Sequence, residues 1–355
     1  MAATEEGTVR AGAEGPGRPP QGLGSIARLA QRGLRGFLTL REGSVIVVTL
    51  VTIIYFVVTT NHFATFANFK NLLPYFAPFA ILGAGEVFVM INGEIDLSIG
   101  AVYLFSPFIF QKLAGGAGIP LVPALILALL ACMAIGAING FFVAIIGITS
   151  FVVTLGMLFL IAGVTLVISH AQQVAMPGTS VTGLNTFAQI FGGGTFSELI
   201  WALAIVAVLQ VVLSLTRWGI YTVSVGGNRL GAAEAGVNVE WNLIRNFVLC
   251  ATLAGLVGIF EAVRSTTATP DPSGANEVLF EGISAAVIGG TLLRGGSGTV
   301  VGALIGALFL GVLNDGLIVK GVNANYLFLY TGIAILIAMT LNVFVERVRR
   351  GGLRA

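Results

Sequence analysis

Charge is scarce in this chain, and its scarcity excludes most classes of soluble protein. Asp, Glu, Lys and Arg make up 10% of the 355 residues, against about 25% in an ordinary soluble domain. The 85 residues from Leu113 to Ser197 contain none of them. Hydrophobic residues make up 56% of the chain, and the mean hydropathy is +0.96. A set of soluble domains, a disordered chain and a disulfide scaffold are therefore excluded, and the sequence predicts a protein embedded in lipid.

Motifs of catalysis and cofactor binding are also absent. The three lysines, Lys70, Lys112 and Lys320, follow no glycine, so the chain has no phosphate-binding G-x-x-x-x-G-K-[ST] loop. The two histidines have no metal-ligand spacing around them, and there is neither a nucleophile elbow nor a dinucleotide fingerprint. We therefore expect no catalytic residue, no metal site and no cofactor bound by this chain. The net charge of +2 is too small to indicate nucleic-acid binding.

Apolar windows of membrane-spanning length recur along the chain. About 20 mostly apolar residues are needed to cross a bilayer as a helix. The pattern predicts an all-α, polytopic membrane protein with about ten transmembrane helices, of which the third and the eighth are short and either re-entrant or full crossings. The ten segments are 43–61, 72–92, 97–112, 120–146, 150–169, 199–216, 242–263, 278–293, 298–318 and 326–345.

Positive charge orients these segments, because Lys and Arg are retained on the cytoplasmic side. Arginines crowd both ends of the chain, which places both termini in the cytoplasm and requires an even number of spans. With ten spans, fourteen of the 18 Lys and Arg residues lie inside, and four lie outside. The count and the charge distribution therefore support each other. The outer loops 170–197 and 265–276 are then the longest external connections.

Four regions follow from this reading. Residues 1–24 contain six Gly and three Pro and are predicted to be a disordered cytoplasmic tail. Residues 25–42 carry apolar side chains at helical spacing opposite arginines, which fits an amphipathic helix on the inner leaflet. The alternative for this region is an unstructured basic tail. Residues 43–345 form the transmembrane domain, and residues 346–355 form a basic cytoplasmic tail.

Small residues at four-residue spacing mark the helices that pack closely. In lipid there is no hydrophobic force between helices, so small side chains that allow close backbone approach are favoured at interfaces. One such ridge lies in the fourth segment, and another lies in the ninth. They consist of Ala128, Cys132, Gly136 and Gly140, and of Gly302, Gly306, Ala307 and Gly311.

Polar side chains inside apolar segments are costly and need a reason. Glu86, Asn139, Glu281 and Asn314 are the clearest cases. They either line a substrate path or form hydrogen bonds between helices, and the second interpretation is favoured for Asn139. Glu261 and Arg264 are three residues apart and are most simply an ion pair.

Three segments have sequence patterns that are more specific than their composition. The turn Asn92–Gly100 reads NGEIDLSIG, and it places Glu94 and Asp96 between two apolar windows. Asp96 is suited to cap the next helix by accepting a backbone N–H. A cytoplasmic loop reads GGNRLGAAEAGVNV from Gly226 to Val239, with a short helix-forming run suited to docking on a soluble partner. The third segment runs from Glu281 to Gly316 and is rich in glycine.

Together the three segments resemble the permease family of bacterial simple-sugar ABC importers, of the ribose, xylose and galactose type, over about residues 68–341. Glu94 stands where many members have Gly, and Glu234-Ala235 stands where Arg-Leu-Ser is common. The resemblance implies a multi-pass protein of the bacterial inner membrane that carries a monosaccharide inward by alternating access. It also implies a cytoplasmic ATP-binding subunit that hydrolyses ATP-Mg, an external sugar-binding protein and a second permease copy. A homodimer of the permease is expected, with a heterodimer as the alternative.

The resemblance also assigns residues to roles. The family's coupling loop, which contacts the ATPase, corresponds here to Gly226, Gly227, Asn228, Arg229, Ala232, Ala233, Glu234 and Gly236. The predicted translocation path comprises Glu86, Asn92, Glu94, Asp96, Ser98, Asn139, Glu281 and Asn314. The outer loops 170–197 and 265–276 are the expected docking ground for the sugar-binding protein.

Three alternatives remain open at this point. One is the same importer type with a nucleoside or another polyhydroxylated cargo. Another is a proton-coupled secondary transporter with Glu86 as the proton relay. An intramembrane enzyme is disfavoured, because the sequence contains no catalytic constellation.

Overall fold

The computed structural model describes residues 42–180 and 183–351, which fold almost entirely into helices. The α-helices in these ranges are α1 (Gly43–Thr59), α2 (Phe66–Leu72), α3 (Ala77–Ile91), α4 (Ile99–Gln111), α5 (Leu121–Phe141), α6 (Ser150–Ser169), α7 (Thr186–Ala188), α8 (Ser197–Leu215), α9 (Arg217–Gly227), α10 (Arg229–Glu234), α11 (Val239–Arg264), α12 (Pro272–Ile288), α13 (Val300–Val319) and α14 (Leu327–Gly351). Short 3-10 and π-helical turns accompany them at Leu73–Tyr75, Lys112–Gly116, Phe142–Ile146, Gln189–Gly193 and Ala324–Tyr326.

Two small antiparallel pairs of strands complete the fold. β1 (Val174–Ala175) pairs with β4 (Thr267–Ala268), and β2 (Thr179–Ser180) pairs with β3 (Gly183–Leu184). The predicted tail 1–24 and all but the last residue of the predicted amphipathic region 25–42 lie outside the described residues. The last helix runs through Gly351, past the predicted boundary at 345, and residues 352–355 are also outside the description.

A helix occupies each of the ten segments predicted to span the membrane. Within the described ranges, six helical stretches are long and apolar enough to cross: Phe66–Ile91, Leu121–Ile146, Ser150–Ser169, Ser197–Leu215, Val239–Arg264 and Val300–Val319. The helix α4 has 13 residues, and at 1.5 Å per residue it is about 20 Å long. This is shorter than the hydrocarbon core of about 30 Å. The structure therefore does not establish ten crossings.

The bundle has two ends, which we name after arginines found there. At the Arg229 end, α3 finishes beside α9, and a Cβ placed on Gly226 would touch the carbonyl of Ile91. At the Arg264 end, α11 finishes, and Lys320 after α13 donates a hydrogen bond to Tyr55 of α1.

The helix α11 is held close to α5 by the first predicted ridge of small residues. Ala128, Cys132, Gly136 and Gly140 are all buried. A Cβ on Gly136 would lie 2.5 Å from the carbonyl oxygen of Phe247, and one on Gly140 would lie 2.6 Å from the Cα of Ile244. No larger side chain fits at either position, so the predicted ridge is confirmed.

The second predicted ridge packs α13 against α12. A Cβ on Gly302 would lie 2.1 Å from the carbonyl oxygen of Gly289, and one on Gly306 would lie 2.2 Å from that of Ala285. Both helices border α3, which is buried on every side from Ala80 to Ile91. A helix that is apolar and buried all round lies at the centre of its bundle. The core of the protein is therefore α3 and the helices packed on it.

Candidate functional site

Two loops and the end of α9 meet in a glycine junction at the Arg229 end, which consists of Gly93, Gly226, Gly295 and Gly296. Gly226 lies so close to α3 that a Cβ on it would fall 1.6 Å from the Ile91 carbonyl oxygen. The same oxygen accepts a 2.7 Å hydrogen bond from the Gly296 N–H. Gly93 and Gly295 have φ of 78° and 83°, a backbone region that favours glycine. The three segments that the sequence singled out therefore converge at one place.

A buried amide network ties α3, α9 and α11 together beside the junction. The Asn92 side chain donates a 2.9 Å hydrogen bond to the Thr222 carbonyl and accepts one from Asn246. The Asn246 amide also donates to the Phe88 carbonyl at 3.2 Å, and its oxygen accepts a 2.6 Å bond from the Trp218 indole. Buried polar groups are stable in a core only when they are paired in this way. Asn92 therefore holds three helices in register.

The short helix α10 has an inner and an outer face. Asn228 caps it by accepting a 3.0 Å hydrogen bond from the Gly231 N–H. Ala232 is buried against the bundle, whereas Leu230 is 70% exposed and Glu234 is exposed as well. An exposed leucine on a short surface helix is the kind of side chain that a partner groove accepts.

The first residue of α10, Arg229, turns back towards the bundle. Its guanidinium forms an ion pair with Glu94 and donates a 3.0 Å hydrogen bond to the Asn92 carbonyl. The Arg229 side chain is 47% exposed, and the Glu94 side chain is 11% exposed. A residue predicted to lie in the coupling loop is thus bound to one predicted to lie in the path.

Between α3 and α4 the chain leaves helical geometry and forms a turn, residues 92–98 (the re-entrant turn), in which Asn92, Asp96 and Ser98 are buried. Non-helical backbone at membrane depth requires partners inside the protein. The Ile95 N–H donates to the Ser150 hydroxyl at 3.2 Å. One oxygen of Asp96 accepts the Ser98 N–H at 2.9 Å and the Ser98 hydroxyl at 2.6 Å. Asp96 therefore caps the start of α4, as the sequence predicts.

A second buried cluster surrounds this cap. The Asn139 amide donates to the Ser98 hydroxyl at 2.8 Å, and Glu86 accepts a 3.6 Å contact from the Cys250 thiol. Glu86, Asp96, Ser98 and Asn139 are all 0% exposed. One oxygen of Glu86 and one of Asp96 have no hydrogen-bond partner among the described residues.

A cavity of about 780 Å³ lies at the Arg264 end, bordered by α2, α3, α4, α11, α12, α13 and α14. Four aromatic side chains line it, Tyr75, Phe79, Tyr103 and Phe328. Ligand sites typically combine aromatic walls with a few polar groups that fix the orientation of the ligand. The volume lies within the range of about 300–1,000 Å³ usual for small-molecule sites.

Polar side chains in this cavity are arranged in two short chains. The Thr331 hydroxyl donates to the Asn314 oxygen at 2.9 Å, and the Asn314 amide donates to Glu281 at 3.3 Å. The Asn68 amide donates to Asp315 at 2.6 Å. All five residues line the cavity. They supply amide, hydroxyl and carboxylate groups that match the hydroxyl groups of a polar ligand.

More acidic than basic side chains line the cavity. Arg264 is paired with Glu261, as the sequence predicts, and its Nε lies 3.4 Å from Glu198. The charged lining residues are four acids and two bases, namely Glu261, Glu277, Glu281 and Asp315 with Lys70 and Arg264. A lining of this sign favours neutral over anionic ligands.

The predicted path residues thus fall into separate places. Glu281 and Asn314 line the cavity. Glu86, Asp96, Ser98 and Asn139 form the buried cluster, and Asn92 and Glu94 belong to the Arg229 end. Neither of the last two groups lines the cavity at the Arg264 end.

The site residues that escaped sequence reasoning include Asn68, Thr331 and Asn246. Asn246 left a readable signal, because Asn242 precedes it by four residues in an apolar helix and the two share one helix face. Asn68 and Thr331 left none, because each acquires its role only from a residue distant in the sequence.

Residues 68–339 match the family described as the permease component of branched-chain amino acid transport systems. The xylose/arabinose import permease of Sulfolobus acidocaldarius is 33% identical over 316 residues, which cover 86% of this chain and 86% of the relative.

Two further relatives come from Escherichia coli. The ribose import permease is 34% identical over 310 residues, which cover 85% of this chain and 94% of the relative. The D-allose transport system permease is 30% identical over 307 residues, which cover 86% of this chain and 93% of the relative.

Proposed function

The chain belongs to the permease family of sugar ABC importers, and we propose that it forms the membrane path through which one such importer moves a monosaccharide into the cell. It is a multi-pass protein of the inner membrane and a transport subunit rather than an enzyme. The family implies an ATPase subunit and a substrate-binding protein as partners. ATP-Mg is bound and hydrolysed on the ATPase, and this chain supplies the path by alternating access.

The observation that carries the cargo proposal is the cavity at the Arg264 end. Its aromatic faces suit the apolar face of a sugar ring, and the Asn314, Glu281 and Asn68 side chains offer partners for hydroxyl groups. Its acidic balance favours a neutral sugar over a sugar phosphate or a sugar acid. The relatives that transport ribose, xylose, arabinose and allose point to a pentose or hexose. A nucleoside cargo has no such support.

The coupling residues are proposed at the Arg229 end. Leu230, Ala233 and Glu234 are exposed on α10 and are positioned to dock in a groove of the ATPase. Gly226 and Gly227 are the last residues of α9, and Asn228 and Gly236 lie in the connections on either side of α10.

The sugar-binding protein is proposed to dock at the Arg264 end. There β1 and β4 join the two loops that the sequence assigned to this role, with Val174 opposite Ala268 and Ala175 opposite Thr267. Pairing of the two loops gives the binding protein a shared surface beside the cavity. We also propose that two copies of this chain assemble around one transport path, because symmetric homodimers are the commonest oligomers.

The test of function is uptake into proteoliposomes that contain this chain, its ATPase and its sugar-binding protein. Labelled ribose, xylose, arabinose and galactose are supplied outside, with ATP present or absent on the ATPase side. We expect uptake that requires both ATP and the binding protein. Uptake by this chain alone that a proton uncoupler abolishes would instead support a secondary transporter through Glu86. Stimulated ATPase activity without uptake of any sugar would retain the importer and reject the cargo.

We propose ten crossings with both termini in the cytoplasm, and cysteine labelling tests the orientation. Cys132 and Cys250 are buried, so a membrane-impermeant maleimide gives little background. In intact cells the reagent should label Asn325→Cys, whereas Glu234→Cys should react only after the membrane is opened. Both positions are exposed. The reverse pattern would invert the topology, and labelling of both from one side would require an even number of crossings between them.

A further inference from the structure

The contact between Arg229 and Glu94 joins the exposed coupling segment to the buried turn that starts α4. Arg229 belongs to the loop Gly226–Val239, yet its guanidinium points away from the exposed face of α10. It binds the carboxylate of Glu94 and the carbonyl of Asn92, at the first positions of the re-entrant turn. Leu230, the next residue, is 70% exposed and faces outward. Neighbouring residues of one short helix thus serve two different surfaces.

We propose that the Arg229–Glu94 ion pair is the link through which movement of the coupling segment reaches the cavity. The proposal rests on the proposed function, because it requires an ATPase that moves α10. It assigns Arg229 to contact within the permease and leaves docking on the ATPase to the outward side chains of α10. Arg229 and Glu94 are positioning residues, since neither lines the cavity at the Arg264 end.

The remainder of the route is built from buried contacts. Asp96 stabilises the re-entrant turn by accepting both the N–H and the hydroxyl of Ser98. The Ser98 carbonyl in turn accepts a 2.9 Å hydrogen bond from the Val102 N–H, which joins the turn to α4. The helix α4 then carries Tyr103 to the cavity wall. A pull on Glu94 is therefore transmitted along one covalent segment from the Arg229 end to an aromatic lining residue. Coupling between distant sites requires a contiguous set of contacts that can adopt two arrangements. The contacts along this route are contiguous.

The ion pair is partly exposed to solvent, which allows it to form and break. Glu94 is 11% exposed and Arg229 is 47% exposed, so water reaches the guanidinium. A partly hydrated ion pair is weak compared with a buried one and is replaced by water at little cost. The rest of the Arg229 end is fixed by the glycine junction and by the buried Asn92–Asn246 contact. The ion pair is thus the contact there that a moderate force from the ATPase can change.

A charge-swap series in the complete reconstituted importer tests the link. The variants are Arg229→Glu, Glu94→Arg and the two combined, and the quantities measured are ATP-driven uptake and ATP hydrolysis. Each single variant should lower the ratio of sugar transported to ATP hydrolysed by about tenfold, while the double variant should recover most of it, because the pair is restored with opposite orientation. Arg217→Glu is the matched control, since Arg217 is an exposed arginine at the same end and should tolerate the change.

A second series of variants tests whether the losses arise from the introduced charge itself rather than from loss of the ion pair. Arg229→Gln and Glu94→Gln remove one charge each with little change of volume, and the double variant should be no worse than either single variant. Additive losses in this series, or single swaps with unaltered coupling, would overturn the proposal. So would a loss at Arg229 that the swap at Glu94 does not repair, because Arg229 would then act on the ATPase. Failure of the proposed function would appear separately, as absence of ATP-driven uptake in the unchanged protein.

Discussion

Replacement of Gly226 by valine is expected to abolish ATP-driven uptake, whereas the same replacement at Gly227 should lower uptake far less. The added Cβ at Gly226 would lie 1.6 Å from the Ile91 carbonyl oxygen and 2.7 Å from the Gly296 nitrogen. Both are backbone atoms, which cannot rotate away as the end of a side chain does. Overpacking of this kind costs about 1–3 kcal/mol even where side chains yield. The junction must therefore open, and the coupling segment must move away from α3.

Gly227 is a suitable control for Gly226, because it is the adjacent residue in the same helix. A Cβ there meets no described atom within 4 Å. The two variants share the change in helix propensity and hydrophobicity, so any difference between them arises from the contact with Ile91. Uptake and the thermal unfolding midpoint in detergent are measured for both. Full uptake by the Gly226 variant would mean that close contact between α9 and α3 is not needed for transport.

The sequence predicted the parts of the fold that depend on local composition. Segment positions follow from runs of apolar residues, and they match the helices because each helix satisfies its own backbone hydrogen bonds in lipid. The ridge Gly136–Gly140 and the pair Glu261–Arg264 could also be predicted from the sequence. The residues of each lie three or four positions apart in one helix, and the 3.6-residue repeat therefore places them on the same face.

The candidate site was less predictable because it depends on contacts between distant parts of the chain. Arg229 and Glu94 are separated by 135 positions, and Asn68 and Asp315 by 247. No local pattern marks such pairs. The path prediction also mixed two kinds of residue, because a polar group in an apolar helix has the same appearance whether it binds another helix or a ligand. Glu86 and Asn314 illustrate the two outcomes, one in a buried cluster and the other on a cavity wall.

The two ends of the bundle also differ in a way that bears on mechanism. The cavity lies at the Arg264 end, whereas the core of α3 from Ala80 to Ile91 is fully packed between that cavity and the glycine junction. With the proposed orientation, this arrangement presents the cavity to the outside and closes it from the cytoplasm. A cargo shifts the balance of two conformations only by binding one of them better. The cavity side chains are therefore where cargo binding must act.

Replacement of Asn314 by leucine is expected to lower uptake by at least about tenfold, since one lost hydrogen bond to cargo costs about 1.4 kcal/mol in the transport step. Leucine keeps the approximate size of asparagine but removes both the acceptor used by Thr331 and the donor used by Glu281. Uptake is measured with saturating, sugar-loaded binding protein, so that the loss reflects handling of the cargo by the permease. Asn325→Leu is the matched control, because Asn325 is exposed at the same end and does not line the cavity.

Comparison with Glu86→Gln separates a path residue from a residue that only holds helices together. Glu86 is 0% exposed and contacts Cys250, so loss of its carboxyl group should alter the unfolding midpoint more than the selectivity among sugars. Asn314→Leu should do the opposite, because its partners face the cavity, and it should change the ratio of ribose to galactose uptake. Equal effects of the two variants on selectivity would extend the path from the cavity into the buried cluster. A change of selectivity at Glu86 alone would move the path away from the cavity, because cargo would then pass the groups that surround Asp96.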